Sequence, residues 1–156
     1  PDWCEIHDIY NKVTDVLKKE LEPFTLISSI PEDIPLVRLD FGLMEQVIHN
    51  LLLNSSQYTP PGSIIGFTAR YNEGYLTITI EDNGPGIPDV LMDRVFKKFF
   101  RADNSKPGGL GLGLSIVKGL VEAHKGKIRV ENISPGVKFE ISIPTEIPDI
   151  NRIILE

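Results

Sequence analysis

The chain has 156 residues, 41% hydrophobic and 24% charged, which suits one globular domain with a substantial core and argues against disorder of the whole. A formal net charge of −6 argues against a general nucleic-acid binder, which needs a basic face, yet leaves room for a local cationic pocket around one nucleotide. Cys4 is the only cysteine, so no internal disulfide can form, and His7, His49 and His124 lack metal-ligand spacing. No apolar run approaches the ~20 residues of a bilayer span, and no signal peptide is visible. With Pro1 where a methionine would stand, the expectation is a cytosolic piece of a longer protein.

In chain order, Asp2 is placed to cap a first helix over 2–22, with Glu5 closing a capping box, and apolar residues from Trp3 to Leu21 keep helical spacing. Residues 25–30 and 36–39 read as short strands between prolines. Asp40 caps the next helix, whose segment 45–58 carries two stripes. Met44, Val47, Ile48, Leu51 and Leu52 form an apolar face, while Asn50, Asn54, Gln57 and Tyr58 recur at i, i+4, i+7 and i+8. Neutral amides one turn apart are good donors and acceptors but poor acids or bases, so they suit holding a metal-chelated polyanion better than hydrolysing it.

Strands over 64–71 and 75–82 flank a three-residue loop, Asn72-Glu73-Gly74. In the second strand Asp82 falls on the same parity as Leu76, Ile78 and Ile80, which points this carboxylate inward, where it needs a donor or a proton. Pro88 and Asp89 open a short helix carrying Val90, Leu91, Val95, Phe96, Phe99 and Phe100; residues 102–108 have no periodicity. A helix over 114–124 stops at Gly126, and two alternating strands over 127–132 and 137–144 follow. The pattern is α+β: a two-layer sandwich of a mixed five-stranded sheet with about three main helices on one face, residues 1–145 forming the domain and 146–156 a tail.

Two glycine segments stand where backbone amides can approach a ligand. Asp82-Asn83-Gly84-Pro85-Gly86-Ile87 follows a strand, and Gly108-Gly109-Leu110-Gly111-Leu112-Gly113-Leu114 precedes a helix, whose unpaired N–H groups favour an anion. A dinucleotide fingerprint is excluded because leucine occupies its third glycine position. A P-loop is excluded because Gly126-Lys127 has Val121 at the required upstream glycine and Ile128 after the lysine.

Together and in this order, the two-asparagine helix, Asp-x-Gly-x-Gly, the Val95–Arg101 phenylalanine-rich segment and Gly-x-Gly-x-Gly resemble the N, G1, F and G2 boxes of the catalytic ATP-binding domain of sensor histidine kinases. The resemblance covers about residues 36–144, and the wording of 108–118 is most similar to the potassium-responsive KdpD branch. It implies the Bergerat ATP-binding fold and ATP with Mg²⁺ as ligands. Asn54 would ligate the metal and Asn50 would support it or the phosphates; these two are the catalytic candidates. Tyr58 would lie along adenine, Asp82 would accept its exocyclic amino group, and Gly84, Gly86 and Ile87 would shape the base pocket. Gln57, Phe96, Lys98, Arg101, Gly109, Leu110, Gly111, Leu112, Gly113 and Leu114 complete the expected nucleotide contacts, with 102–108 as a lid and Lys106 a lesser cation candidate. Gln57 and Leu110 depart from the pattern, which often has Lys or Arg and Thr there.

Hydrolysing members of the superfamily place a glutamate where this chain has Asn50, and an amide cannot take a proton from water. The resemblance therefore implies transfer of the γ-phosphoryl group to a histidine on a separate dimerisation domain, for relay to a response regulator. His7-Asp8 lacks the downstream proline of an acceptor motif, so that domain is expected elsewhere in a parent anchored in the inner membrane, with this part cytoplasmic. The alternatives are an ATPase clamp of the gyrase or Hsp90 type and a non-catalytic nucleotide- or partner-binding module.

Overall fold

A computed structural model describes residues 1–97 and 113–149. Strand β1 (Asp2–Cys4) leads into helix α1 (Ile6–Val16) and the single turn α2 (Lys18–Leu21). Then come β2 (Thr25–Ser29), β3 (Val37–Leu39), helix α3 (Phe41–Tyr58), β4 (Ile64–Asn72) and β5 (Tyr75–Asp82). A 3-10 turn (Asp89–Arg94), helix α4 (Gly113–Ala123), β6 (Lys127–Asn132) and β7 (Val137–Pro144) complete the fold.

The main sheet runs β2-β4-β5-β7-β6, with β2 parallel to β4 and the remaining pairs antiparallel, so it is mixed and five-stranded. Alternation sorts its faces: Ile65, Phe67 and Ala69 of β4, Leu76, Ile78 and Ile80 of β5, and Val137, Phe139, Ile141 and Ile143 of β7 are buried. Against them pack the apolar stripes of α1 (Ile6, Ile9, Val13), α3 (Met44, Val47, Ile48, Leu51, Leu52) and α4 (Val117, Val121). Tyr10 and Phe67 join helix to sheet with ring centroids 4.6 Å apart. The α+β sandwich read from the sequence stands. Among the described residues no helix is long and apolar enough to cross a membrane.

Four local readings are corrected. Asp2 caps nothing: it starts β1, which pairs with β3 in a separate two-stranded sheet, and α1 begins after Glu5 without a side-chain cap. Pairing buries Cys4, Val37 and Leu39, which outweighs one cap bond. The first helix also breaks at Leu17, where ψ is 16°. The hairpin loop has two residues, Glu73 and Gly74, both at positive φ, because Asn72 still pairs with Tyr75. The segment after Pro88 forms only a 3-10 turn, and Val90 is 82% exposed. By contrast, Asp40 does cap α3, its Oδ1 accepting from the Leu43 N–H at 3.0 Å.

One close approach fixes how the β6–β7 connection meets the end of β5. Gly136 has φ of 112°, and a Cβ there would lie 1.7 Å from the Asp82 carbonyl oxygen. Both the backbone angle and the space demand glycine. Gly136→Ala is expected to lower stability by about 2–4 kcal/mol, the range of strained and overpacked substitutions, measured by urea denaturation. A loss below half a kcal/mol would show that the turn relaxes freely.

Candidate nucleotide-binding site

The site is organised around the end of β5. Asp82 is 7% exposed among apolar neighbours, as its strand parity requires. Burial pushes its carboxyl above the ordinary value of 3.8, and the Gly84 and Val137 backbone N–H groups pull the other way. The Gly84 N–H donates to Asp82 Oδ1 at 2.9 Å, so the loop's first turn bonds the carboxylate. Donors on a carboxylate this deep keep it a usable acceptor.

The loop is pinned on both sides. The Asn83 Oδ1 accepts from the Ile64 N–H at 2.7 Å, tying it to the start of β4. Asn132, at the end of β6, holds the other side: its Oδ1 accepts from the Ile87 N–H at 2.8 Å and its Nδ2 donates to the Ile87 carbonyl at 2.6 Å. The Asn132 Nδ2 also reaches Asp89 Oδ1 at 3.4 Å. Gly86, at φ of 85°, passes so near that a Cβ would sit 2.9 Å from Asn132 Oδ1. At Gly84 a Cβ would meet Thr59 Cγ2 at 2.6 Å and Asp82 Oδ1 at 3.1 Å. The loop is thus clamped between α3's C-cap and β6.

Helix α3 meets this loop at its C-cap, Thr59. Asn50, Asn54, Gln57 and Tyr58 are all half-buried, flanking the fully buried stripe. Two residues on the inner side escaped sequence reading: Ser55, buried with the core, and Thr59, whose hydroxyl donates to the Ser55 carbonyl. Their only sequence signal is continuation of the apolar stripe at i+4 from Leu51. Glu45 is occupied elsewhere, with its Oε2 3.0 Å from Lys12 Nζ on α1. Among the described residues no group of three or more His, Cys, Asp or Glu could hold a metal ion. Of the site residues described, the amide oxygens of Asn50 and Asn54 are the hard ligands α3 offers a divalent cation.

The remaining predicted residues divide. Phe96 packs against the core, with Lys118 Nζ 6.0 Å from its ring centroid, while Gly113 and Leu114 open α4, Leu114 partly buried against the core. Lys98, Arg101, Lys106, Gly109, Leu110, Gly111, Leu112 and the expected lid at 102–108 lie outside the described residues. Two histidines bond backbone groups: His7 Nε2 lies 3.2 Å from the Pro31 carbonyl, and His124 joins the Leu120 carbonyl at 2.8 Å to the Asp40 N–H at 3.4 Å.

Comparison with known proteins bears directly on this arrangement. The sequence is 35% identical over 147 residues to the sensor protein KdpD of Clostridium acetobutylicum, covering 91% of this chain and 16% of that protein. It is 35% identical to the probable sensor kinase SilS of Salmonella typhimurium, covering 73% of this chain and 26% of that one. It is 34% identical to the sensor protein kinase WalK of Staphylococcus haemolyticus, covering 89% and 24%. Identity so even does not single out the KdpD branch, and the chain spans about a quarter or less of these relatives' length. The catalytic domain of the histidine kinase ThkA superposes with a TM-score of 0.82 at 27% identity, covering 92% of this chain and 94% of that one. The mycobacterial sensor histidine kinase MprB shares the fold at the same TM-score and 24% identity, covering 94% and 100%. A family model described as histidine kinase-, DNA gyrase B- and HSP90-like ATPase matches residues 40–147, which takes in α3, the clamped loop and β7. The chain belongs to that ATPase family.

Proposed function

We propose that this domain binds ATP with Mg²⁺ and serves as the catalytic part of a sensor histidine kinase. The γ-phosphoryl group goes to a histidine on a separate dimerisation domain and from there to an aspartate of a response regulator. The observation that carries the reading is Asp82: a carboxylate buried at a strand end and bonded by the Gly84 N–H. Such an acceptor suits a purine amino group, and Gly84 and Gly86 let the loop pass close against Thr59 and Asn132. Tyr58 and Ile87 flank the base in this assignment, and Asn54 ligates the metal with Asn50 and Gln57 beside it.

Transfer is favoured over hydrolysis because the position facing the phosphates carries Asn50, and Glu45 is paired with Lys12. Phosphoryl transfer rests on positioning and charge stabilisation, which amides, a metal and helix-end N–H groups supply. Among structures of the same fold, full-length ShkA was solved in complex with AMPPNP, and ThkA in complex with the response regulator TrrA. The parent protein is proposed to sit in the inner membrane, with this domain in the cytoplasm.

Asn54→Asp changes the charge and hydrogen bonding of the metal ligand. Transfer to the separately supplied histidine-bearing domain should fall about a hundredfold or more, the scale of electrostatic catalytic groups, read by radiolabelled phosphate on the acceptor. Undiminished transfer would overturn the assignment of this residue. ATP hydrolysis by the isolated domain should stay at background in the same assay.

Asp82→Asn should weaken ADP binding about 10- to 100-fold at pH 7, the worth of a hydrogen bond to a charged acceptor, measured by calorimetry. Its effect on stability has a defined pH sign. Because burial raises the folded carboxyl's pKa, the native state binds more protons than the unfolded state between 3.8 and that raised value. Wild-type stability therefore gains as pH falls through this window, whereas the asparagine variant lacks the gain. Urea denaturation at successive pH values should show the variant losing ground to wild type on acidification; parallel curves would show that Asp82 is not desolvated.

A further inference from the structure

The two edges of the main sheet differ in how they are guarded. β6 carries a charge at every second position, Lys127, Arg129 and Glu131, the usual defence against stray strand pairing. β2, the opposite edge, has neither charge nor proline over Thr25–Ser29, and all of its residues are exposed. Its hydrogen-bonding groups are set for a further strand. The Thr25 N–H donates to the Ser63 carbonyl at 3.0 Å, and in a parallel ladder alternate residues bond the same neighbour. Thr25, Ile27 and Ser29 therefore face β4, while Leu26 and Ser28 direct their N–H and carbonyl groups outward.

Apolar surface flanks this edge on both faces of the sheet. On the helix side Val16, Phe24 and Leu26 line a groove beside α1 and α2, and Val16 is 59% exposed. On the open side Ile27 is 53% exposed, because Gly66, its neighbour on β4, has no side chain to cover it. Ile64, also on β4, is exposed as well. Charge selects the occupant. Lys18 and Lys19 line the groove and, among the described residues, enter no ion pair; one acid, Glu22, stands against them. The groove is thus locally positive in a chain of formal net charge −6. A second copy of β2 would bring no acid to meet those lysines.

We propose that β2 is a docking edge for an extended segment of a partner protein. The segment's backbone pairs with Leu26 and Ser28, its apolar side chains fill the groove and cover Ile27, and its acidic residues meet Lys18 and Lys19. No residue of the proposed nucleotide site takes part. The probe is the synthetic peptide acetyl-Glu-Glu-Val-Thr-Val-Thr-Val-amide, titrated into isotope-labelled domain and followed by NMR. It should bind with a Kd of about 1 mM or tighter and slow hydrogen exchange at the Leu26 and Ser28 amides about tenfold or more. Ile27→Lys, which sets a charge on the exposed side of the edge, should weaken binding about tenfold, as should the double change Lys18→Glu and Lys19→Glu. Both variants should keep the wild-type affinity for ADP. No binding at that concentration, protection at other amides, or unchanged affinity in either variant would overturn the proposal. Dimerisation of the peptide-free domain in sedimentation, with the same two amides protected, would overturn the choice of occupant in favour of a second copy.

Discussion

The structure depends on keeping one carboxylate out of water without leaving it unsatisfied. Asp82 ends an apolar strand on its inner face, and desolvation disfavours its charge. The loop that follows answers this with the Gly84 N–H on Oδ1, the Val137 N–H close by, and Gly136 pressed against the Asp82 carbonyl. Each of these elements is shaped by the others. Gly84 must be small because Thr59 stands over it, Gly136 because β5 ends beneath it, and Gly86 because Asn132 crosses it. A pocket wall made this way is set by backbone and bonded side chains, which lowers the reorganisation needed when a ligand arrives.

Helix α3 solves the opposite problem, joining a core and a polar cleft through one element. Its buried stripe runs Met44, Val47, Ile48, Leu51, Leu52, Ser55, and the amides lie beside it, half-buried. Packing of that stripe against the sheet fixes the helix, so the half-buried amides beside it are carried on a rigid element. The His124 ring, just after the last residue of α4, reaches the Asp40 N–H at the start of α3 and ties the two helices together at the end of α4 remote from Gly113.

The sequence made legible whatever is periodic and local. Parity alone put Asp82 inside, helical spacing alone gave α3 its two faces, and alternation marked β5, β6 and β7 of the main sheet. What it hid lies between distant segments. Asn132 holds a loop 45 positions away in sequence, and nothing in its own strand marks it. The start of the chain looked like a helix because capping chemistry is local, whereas pairing with β3 across more than thirty residues is not. Ser55 was concealed differently: a small hydroxyl fits an apolar stripe, and only the lack of a partner separates it from alanine.

The division between gripping and reacting follows from which side chains the cleft contains. Asn50 stands where a hydrolase needs a base, Glu45 is bound to Lys12, and His7 and His124 are engaged with backbone groups. Among these, nothing is positioned to strip a proton from water or to take up a phosphoryl group. In the proposed function a domain so equipped would hold a triphosphate and its metal with little loss to hydrolysis while it awaits an acceptor. Under the proposed function the nucleophile comes from a separate histidine-bearing domain, and reaction waits on how that domain docks. Neutral amides in place of a carboxylate thereby turn the domain's chemical passivity into control by geometry.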